Sequence, residues 1–262
     1  MVNRGRARAT ILGLLLATGY PATGWSAATV ERYEGHAYGR EDGRLRYRET
    51  HWHGPDGQRV VVYRCPGGEP FARKVVKPSG AAAAPDFEFH DARDGYREGV
   101  RSRQGAREVF LQERTGSSLK SRPLPMRAGA VIDAGFDALV RQQWDRLGAA
   151  DGVVVPFLLP SRFAFYPIRI APVSREQPPD HERRFRMTLD HWLGFALKPI
   201  ELRYSLRDRR LLEFRGVATI RDAKGRHQDV RLVFPVAERV QGLSRGEFAD
   251  ALAVPLVSGC RG

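Results

Sequence analysis

Cysteine is nearly missing from this chain: only Cys65 and Cys260 occur in 262 residues. Two thiols cannot build the several-bridge framework on which very small secreted domains depend. Past residue 28 there is also no uninterrupted apolar run long enough to cross a bilayer, because 153–170 is broken by Pro156, Pro160, Arg162 and Pro167. A membrane-spanning helix is therefore not expected. The G-x-S-x-G nucleophile elbow, the phosphate-binding loop and the dinucleotide fingerprint are absent too. Ser161 lacks flanking glycines, Cys65 before Pro66-Gly67-Gly68 is too generic for a dyad, and no two carboxylates stand out as a hydrolytic pair. Arg97, Arg101, Arg103, Arg107 and Arg114 flank Tyr96 and Phe110 without a nucleic-acid motif, so a solvated basic hairpin is expected there and no nucleic-acid partner.

Acidic residues are missing from one more place, the first 28 positions. Arg4, Arg6 and Arg8 are followed there by apolar Ile11 to Leu16 and by Ser26-Ala27-Ala28. That order is expected to be a secretory signal peptide, leaving 29–262 as a single soluble domain in the periplasm. Within those 28 positions no two arginines are adjacent, as the folded-export route requires, and no cysteine directly follows the expected cut, so a lipid anchor is not indicated. The chain carries 43 Lys and Arg against 30 Asp and Glu, a formal net charge of +13. Such a surface favours anionic surroundings, including an anionic envelope surface. The bland reading of the same arginines is cross-strand pairing with acids. In an oxidising compartment Cys65 and Cys260 either bridge and close most of the domain into one loop, or remain a buried thiol and a tail thiol.

What the sequence has in plenty is strand and turn. Ile132, Phe136, Leu139, Val140, Trp144 and Leu147 recur at helical spacing, predicting one long helix over Asp133 to Leu147. Asp133 is its expected cap, and Gly148 its expected left-handed end. Around it two meanders of alternating strands are predicted, with a short closing helix over Ser244 to Ala253 whose Ser244 and Glu247 form a capping box. The 173–182 stretch, rich in proline and charge, is a loop or lid candidate. The expected fold is mainly β: a curved antiparallel sheet, half-barrel or open barrel, around one central helix, with a short C-terminal helix.

Register can be argued from the turns. Asp42-Gly43 read as a two-residue hairpin turn sets Glu34 opposite His51, His36 opposite Glu49, and Tyr33 opposite Trp52, which faces Val61. In the second meander, Ala223-Lys224-Gly225 with a left-handed Gly225 puts Phe214 and Gly216 on one face with Val230 and Leu232. By the same parity the preceding loop, Arg207-Asp208-Arg209, puts Leu202 opposite Phe214 and Tyr204 opposite Leu212, so that Glu201 meets Arg215 and Arg203 meets Glu213.

Two sets of candidate site residues follow. Glu34, His36 and His51 on one expected face, with Glu49 and His53 nearby, are imidazole and carboxylate donors of a kind that holds zinc, and define the metal-dependent or hydrolytic alternative. Phe136, Val140, Trp144, Phe163, Phe165, Tyr166 and Trp192 exceed what covers one helix, pointing to a greasy space for a lipid or other apolar ligand.

Tyr63-Arg64-Cys65-Pro66, Pro70-Phe71-Ala72-Arg73-Lys74, 131–137, Pro160-Ser161-Arg162 and Ile220-Arg221-Asp222-Ala223 resemble an uncharacterised family of exported Gram-negative β-rich proteins, which implies no activity. In outline alone the chain is similar to the half-barrel of periplasmic lipoprotein carriers, which implies acyl chains held in a concave sheet and transfers no ligand residue. The resulting expectation is a periplasmic, non-enzymatic protein without a cofactor that binds an apolar or amphiphilic envelope ligand. The alternatives are the enzyme above and an envelope interaction module without a small ligand.

Overall fold

A computed structural model describes residues 29–261 apart from 55, 150, 174–180 and 191–197. The expected signal peptide, Trp192 and most of the 173–182 stretch lie outside the described residues. Among the described residues sixteen strands form one sheet. The first meander is β1 (Val30–Gly39), β2 (Leu45–His53), β3 (Arg59–Arg64), β4 (Pro70–Lys77), β5 (Asp86–Asp91), β6 (Tyr96–Arg103), β7 (Ala106–Gln112) and β8 (Lys120–Pro123). The second comprises β9 (Val131–Ile132), β10 (Val153–Leu159), β11 (Ala164–Pro172), β12 (Glu182–Leu189), β13 (Ile200–Ser205), β14 (Leu211–Arg221) and β15 (His227–Val233). β16 (Val240–Leu243) pairs with the start of β1.

The first described strand lies in the middle of the sheet. β1 pairs with β2 on one side and β15 on the other, and the order runs from β8 through β1 and β15 to β9. All pairings are antiparallel except the short parallel contact of β9 with β10. The sheet is not closed, and its margins are β8 and β9. No helix among the described residues is long and apolar enough to cross a membrane.

Three apolar clusters hold the fold. The largest joins Tyr47, Tyr63, Phe71, Phe87, Phe89 and Val109 of the first meander to Ile220, Val230 and Leu232 of the second. In the second cluster Leu139, Val140, Trp144 and Leu147 pack against Val155, Ile170, Phe185 and Tyr204. Trp144, Phe185 and Tyr204 meet edge to face at 5.8–6.2 Å, worth about 0.5–1.5 kcal/mol per pair beyond simple burial. The third lies on the opposite face of the first meander, where Phe248 and Ala251 of the C-terminal helix (Arg245–Ala253) cover Val30, Val60 and Val62. That helix has the expected capping box of Ser244 and Glu247.

The predicted long helix is the main departure. Asp133–Gly135 is a 3-10 turn, followed by α1 (Phe136–Gln142) and α2 (Trp144–Leu147), with a break at Gln143. Asp133 does not cap it. Its backbone takes φ +38°, and its Oδ1 accepts a hydrogen bond from Lys74 Nζ at 2.8 Å. Gly135 is pressed on the Ala83 carbonyl, where a Cβ would stand 2.0 Å from the oxygen. Gly148 ends the segment at φ −79°, not in the left-handed region. The apolar spacing still marks the buried side chains, since Leu139, Val140, Trp144 and Leu147 are all in the core.

Cys65 and Cys260 are bridged, with Cα atoms 5.5 Å apart and 195 positions between them in sequence. The tail leading to Cys260 is held by Val257 N donating to Pro70 O at 2.7 Å and Arg73 Nη1 donating to Val254 O at 3.0 Å.

Candidate functional site

Register decides the first candidate. The β1–β2 pairs are Tyr33 with His51, Glu34 with Thr50, Gly35 with Glu49, His36 with Arg48 and Arg32 with Trp52, one residue away from the expected pairing. Trp52 accordingly faces Val60, not Val61. The connection is longer than a two-residue turn: Gly39 N donates to Arg44 O at 2.8 Å, Gly43 sits at φ +66°, and a bulge follows Ala37. A one-residue shift exchanges the faces of a strand. His51 therefore lies on the inner face with Tyr33, while Glu34 and His36 lie on the outer one. The three expected metal donors do not converge, and no cluster of three metal-binding side chains occurs among the described residues. Glu34 instead accepts from Thr50 Oγ1 at 2.9 Å, and His36 Nε2 lies 2.7 Å from Glu238 Oε2.

The packing explains the shift. Gly35 and Ala37 turn inward beneath Phe234 and Leu232, and a Cβ at Gly35 would lie 2.7 Å from the Phe234 ring. Small inward residues admit these large side chains. On the same inner face Tyr33 stacks on His51 at 4.6 Å, and His51 Nε2 is 2.8 Å from Glu49 Oε2. Tyr33 Oη lies 3.4 Å from His53 Nε2. Burial, then the charge of Arg59, pushes the His53 imidazole down to about 3. Further along, Lys74 pairs with Asp133 at 2.8 Å and Tyr96 Oη donates to Glu98 Oε2 at 2.7 Å. Burial lifts the Glu98 carboxyl to about 7, against the Tyr96 hydrogen bond. Most of these buried polar side chains are paired with one another, while Tyr47 Oη and Asp133 Oδ2 are buried without a partner.

The apolar candidates divide into two groups. Val140 and Trp144 are sealed at 0% and 5% exposure, and Phe136 packs on Phe157 with ring centres 6.4 Å apart. Phe163, Phe165 and Tyr166 are half-buried at the tip of the β10–β11 hairpin. Its turn, Pro160–Arg162, contacts β6 and β7, bringing this end of the sheet toward the first meander. There Phe163 and Phe165 pack on the large cluster. Arg122 of the marginal strand β8 lies over the Phe163 ring at 5.0 Å, and Arg127 lies over Phe165 at 5.8 Å. Both arginines are exposed. Phe163 is held at φ +52°, a conformation uncommon for a bulky side chain.

Sequence reasoning named the two phenylalanines and missed the two arginines. The usable signal was a strand ending in Pro123 and Pro125, which marks a sheet margin and hence cations near whatever packs there. No protein-family model, curated protein or solved structure matches the chain. The chemistry of this margin therefore rests on its own residues.

Proposed function

We propose that this is an exported, non-enzymatic protein that binds an anionic amphiphile at the open margin of its sheet. One observation carries the reading: the faces of Phe163 and Phe165, half-buried beside the large core, lie under the guanidinium groups of Arg122 and Arg127. Aromatic faces accept an acyl chain, and each buried methylene contributes about 0.8 kcal/mol. A guanidinium over a ring keeps its N–H fork free for a carboxylate or phosphate. Among the described residues neither arginine has a carboxylate within salt-bridge distance. The constrained backbone of Phe163 fits a ring held for contact, since such conformations gather at ligand-binding positions.

The site keeps Phe163 and Phe165 of the seven side chains first expected and leaves out Val140 and Trp144, which are buried in the core. Export rests on the basic, apolar and small-residue order of residues 1–28. Native mass spectrometry of protein from its own host tests both parts. The mature chain should begin near Thr29 and carry a mass excess that organic extraction removes. A chain retaining Met1, or one free of any extractable adduct, contradicts the corresponding part.

A second reading, an interaction module, is favoured by β8, whose four residues are all exposed at the sheet margin. An unpaired strand edge can add an extended segment of a partner. Retention of a protein in place of the amphiphile would select this reading.

A further inference from the structure

The outer face of β13, β14, β15 and β1 holds an arrangement that the amphiphile site does not use. Glu213, with its side chain 4% exposed, takes Arg215 Nε at 2.5 Å, Arg231 Nη2 at 2.8 Å and Arg203 Nη2 at 3.3 Å. One carboxylate offsets one of the three charges. Arg215 and Arg231 are direct cross-strand partners, a placement that repels unless a counter-ion lies between them. Arg203 likewise faces Arg184. Burial raises the Glu213 carboxyl, yet the Arg231 hydrogen bond and the charges of Arg203, Arg215 and Arg231 outweigh it and hold the group below the ordinary glutamate value. It is an ionised anchor, not a proton carrier.

Above this anchor a concavity of about 610 Å³ is lined by Tyr38, Gly39, Arg40, Gly43, Arg215 and Arg231. Of the neighbouring acids, one is shared between Arg40 and a lysine and the other meets a cation outside the concavity. Asp229 lies 3.4 Å from Arg40 and 3.3 Å from Lys198, and Glu201, opposite Arg215, is 3.9 Å from Arg186.

We propose that this concavity binds a phosphate-type dianion between Arg40, Arg215 and Arg231. Paired residues on adjacent antiparallel strands have Cα atoms about 5 Å apart, which lets two guanidinium forks grip different oxygens of one tetrahedral anion. A tetrahedral dianion offers more oxygens and twice the charge of a carboxylate to the three arginines. Glu182 also meets Arg203, at 3.4 Å, and Glu213, Glu182 and Asp229 set against Arg203, Arg215, Arg231, Arg40 and Lys198 leave two positive charges, which the dianion offsets. Its source is inorganic phosphate or the phosphomonoester headgroup of a lipid.

Calorimetric titration of the full mature chain with inorganic phosphate, against chloride at equal ionic strength, tests the first source. Co-sedimentation with phosphatidylcholine vesicles, with and without phosphatidic acid, tests the second. Arg40→Gln and the pair Arg215→Gln, Arg231→Gln should each weaken binding about ten-fold or more, while Arg97→Gln with Arg103→Gln leaves it nearly unchanged. Arg40→Gln touches none of the Glu213 hydrogen bonds and removes only a partly exposed ion pair with Asp229, and an unchanged melting midpoint separates its loss of affinity from a folding effect. Uptake of phosphate in solution assigns the free anion, and uptake on phosphatidic acid vesicles alone assigns the headgroup. No uptake of either probe, or an equal loss in the Arg97 and Arg103 control, overturns the site.

Discussion

Glu98 and His53 sit in one interior under opposite electrostatic costs. Glu98, 6% exposed, has its carboxyl raised from 4.5 to about 7, first by burial. A raised acid contributes stability that is complete below its unfolded value and is lost as pH rises through the folded one, here between about 4.5 and 7. The full span amounts to about 3 kcal/mol. Glu98→Gln keeps an acceptor for Tyr96 and removes the ionisation. Its melting midpoint should rise relative to wild type between pH 5 and pH 8.5, and a difference independent of pH would contradict the burial of this carboxyl. His53 works on the acid side. Its imidazole is depressed from 6.5 to about 3, so its contribution is present above 6.5 and is lost as pH falls toward 3, at about 1.4 kcal/mol per pH unit. His53→Gln should flatten that limb in urea melts taken at successive pH values. An unchanged slope would place His53 in water.

At the scale of elements, the C-terminal helix offers the plainest test. Ser244 Oγ accepts from Glu247 N at 3.2 Å, and Ser244 N donates to Glu247 Oε2 at 2.8 Å. Ser244→Ala should cost about 1 kcal/mol of unfolding free energy, and no change in the urea midpoint would mean that the helix contributes nothing to the cooperative unit. This box was legible in the sequence because all its parts lie within four residues. The β14–β15 turn was legible for the same reason: Asp222 N donates to Arg226 O, Gly225 sits at φ +75°, and Phe214 pairs with Leu232 and Gly216 with Val230. Glu201 with Arg215 and Arg203 with Glu213 were legible from the 207–209 loop, although a bulge puts Leu211, not Leu212, opposite Tyr204. The β1–β2 register was not legible. Asp42-Gly43 is a local signal, and the pairing is decided by the fit of Gly35 and Ala37 beneath Phe234 and Leu232, two hundred positions away in sequence. The 3-10 start of the 133–147 segment escaped for a similar reason, since Lys74 and the Ala83 carbonyl, both distant in sequence, fix Asp133 and Gly135.

Across the whole molecule, strand positions were readable from alternation and turns, whereas the meeting of Arg122 with Phe163 depends on the curvature of the entire sheet. The bridge between Cys65 and Cys260 spans 195 positions. Closing a loop of that length removes unfolded-state entropy worth up to about 5 kcal/mol. Cys65→Ser with Cys260→Ser should therefore lower the guanidinium midpoint strongly, and a reductant should do the same to wild type only. Equal midpoints with and without reductant would show that the bridge constrains nothing. Arg122 and Arg127 at the margin are exposed, so their chemistry can be tested without removing a core side chain. The most direct measurement is a calorimetric titration with a long-chain fatty acid below its critical micelle concentration, run beside its uncharged monoacylglycerol. The account predicts saturable binding of the acid at one site, weaker binding of the neutral lipid, and loss of that preference in Arg122→Gln, Arg127→Gln with an unchanged melting midpoint. Absence of saturable binding, or equal affinity for both lipids that the double substitution leaves intact, would contradict it.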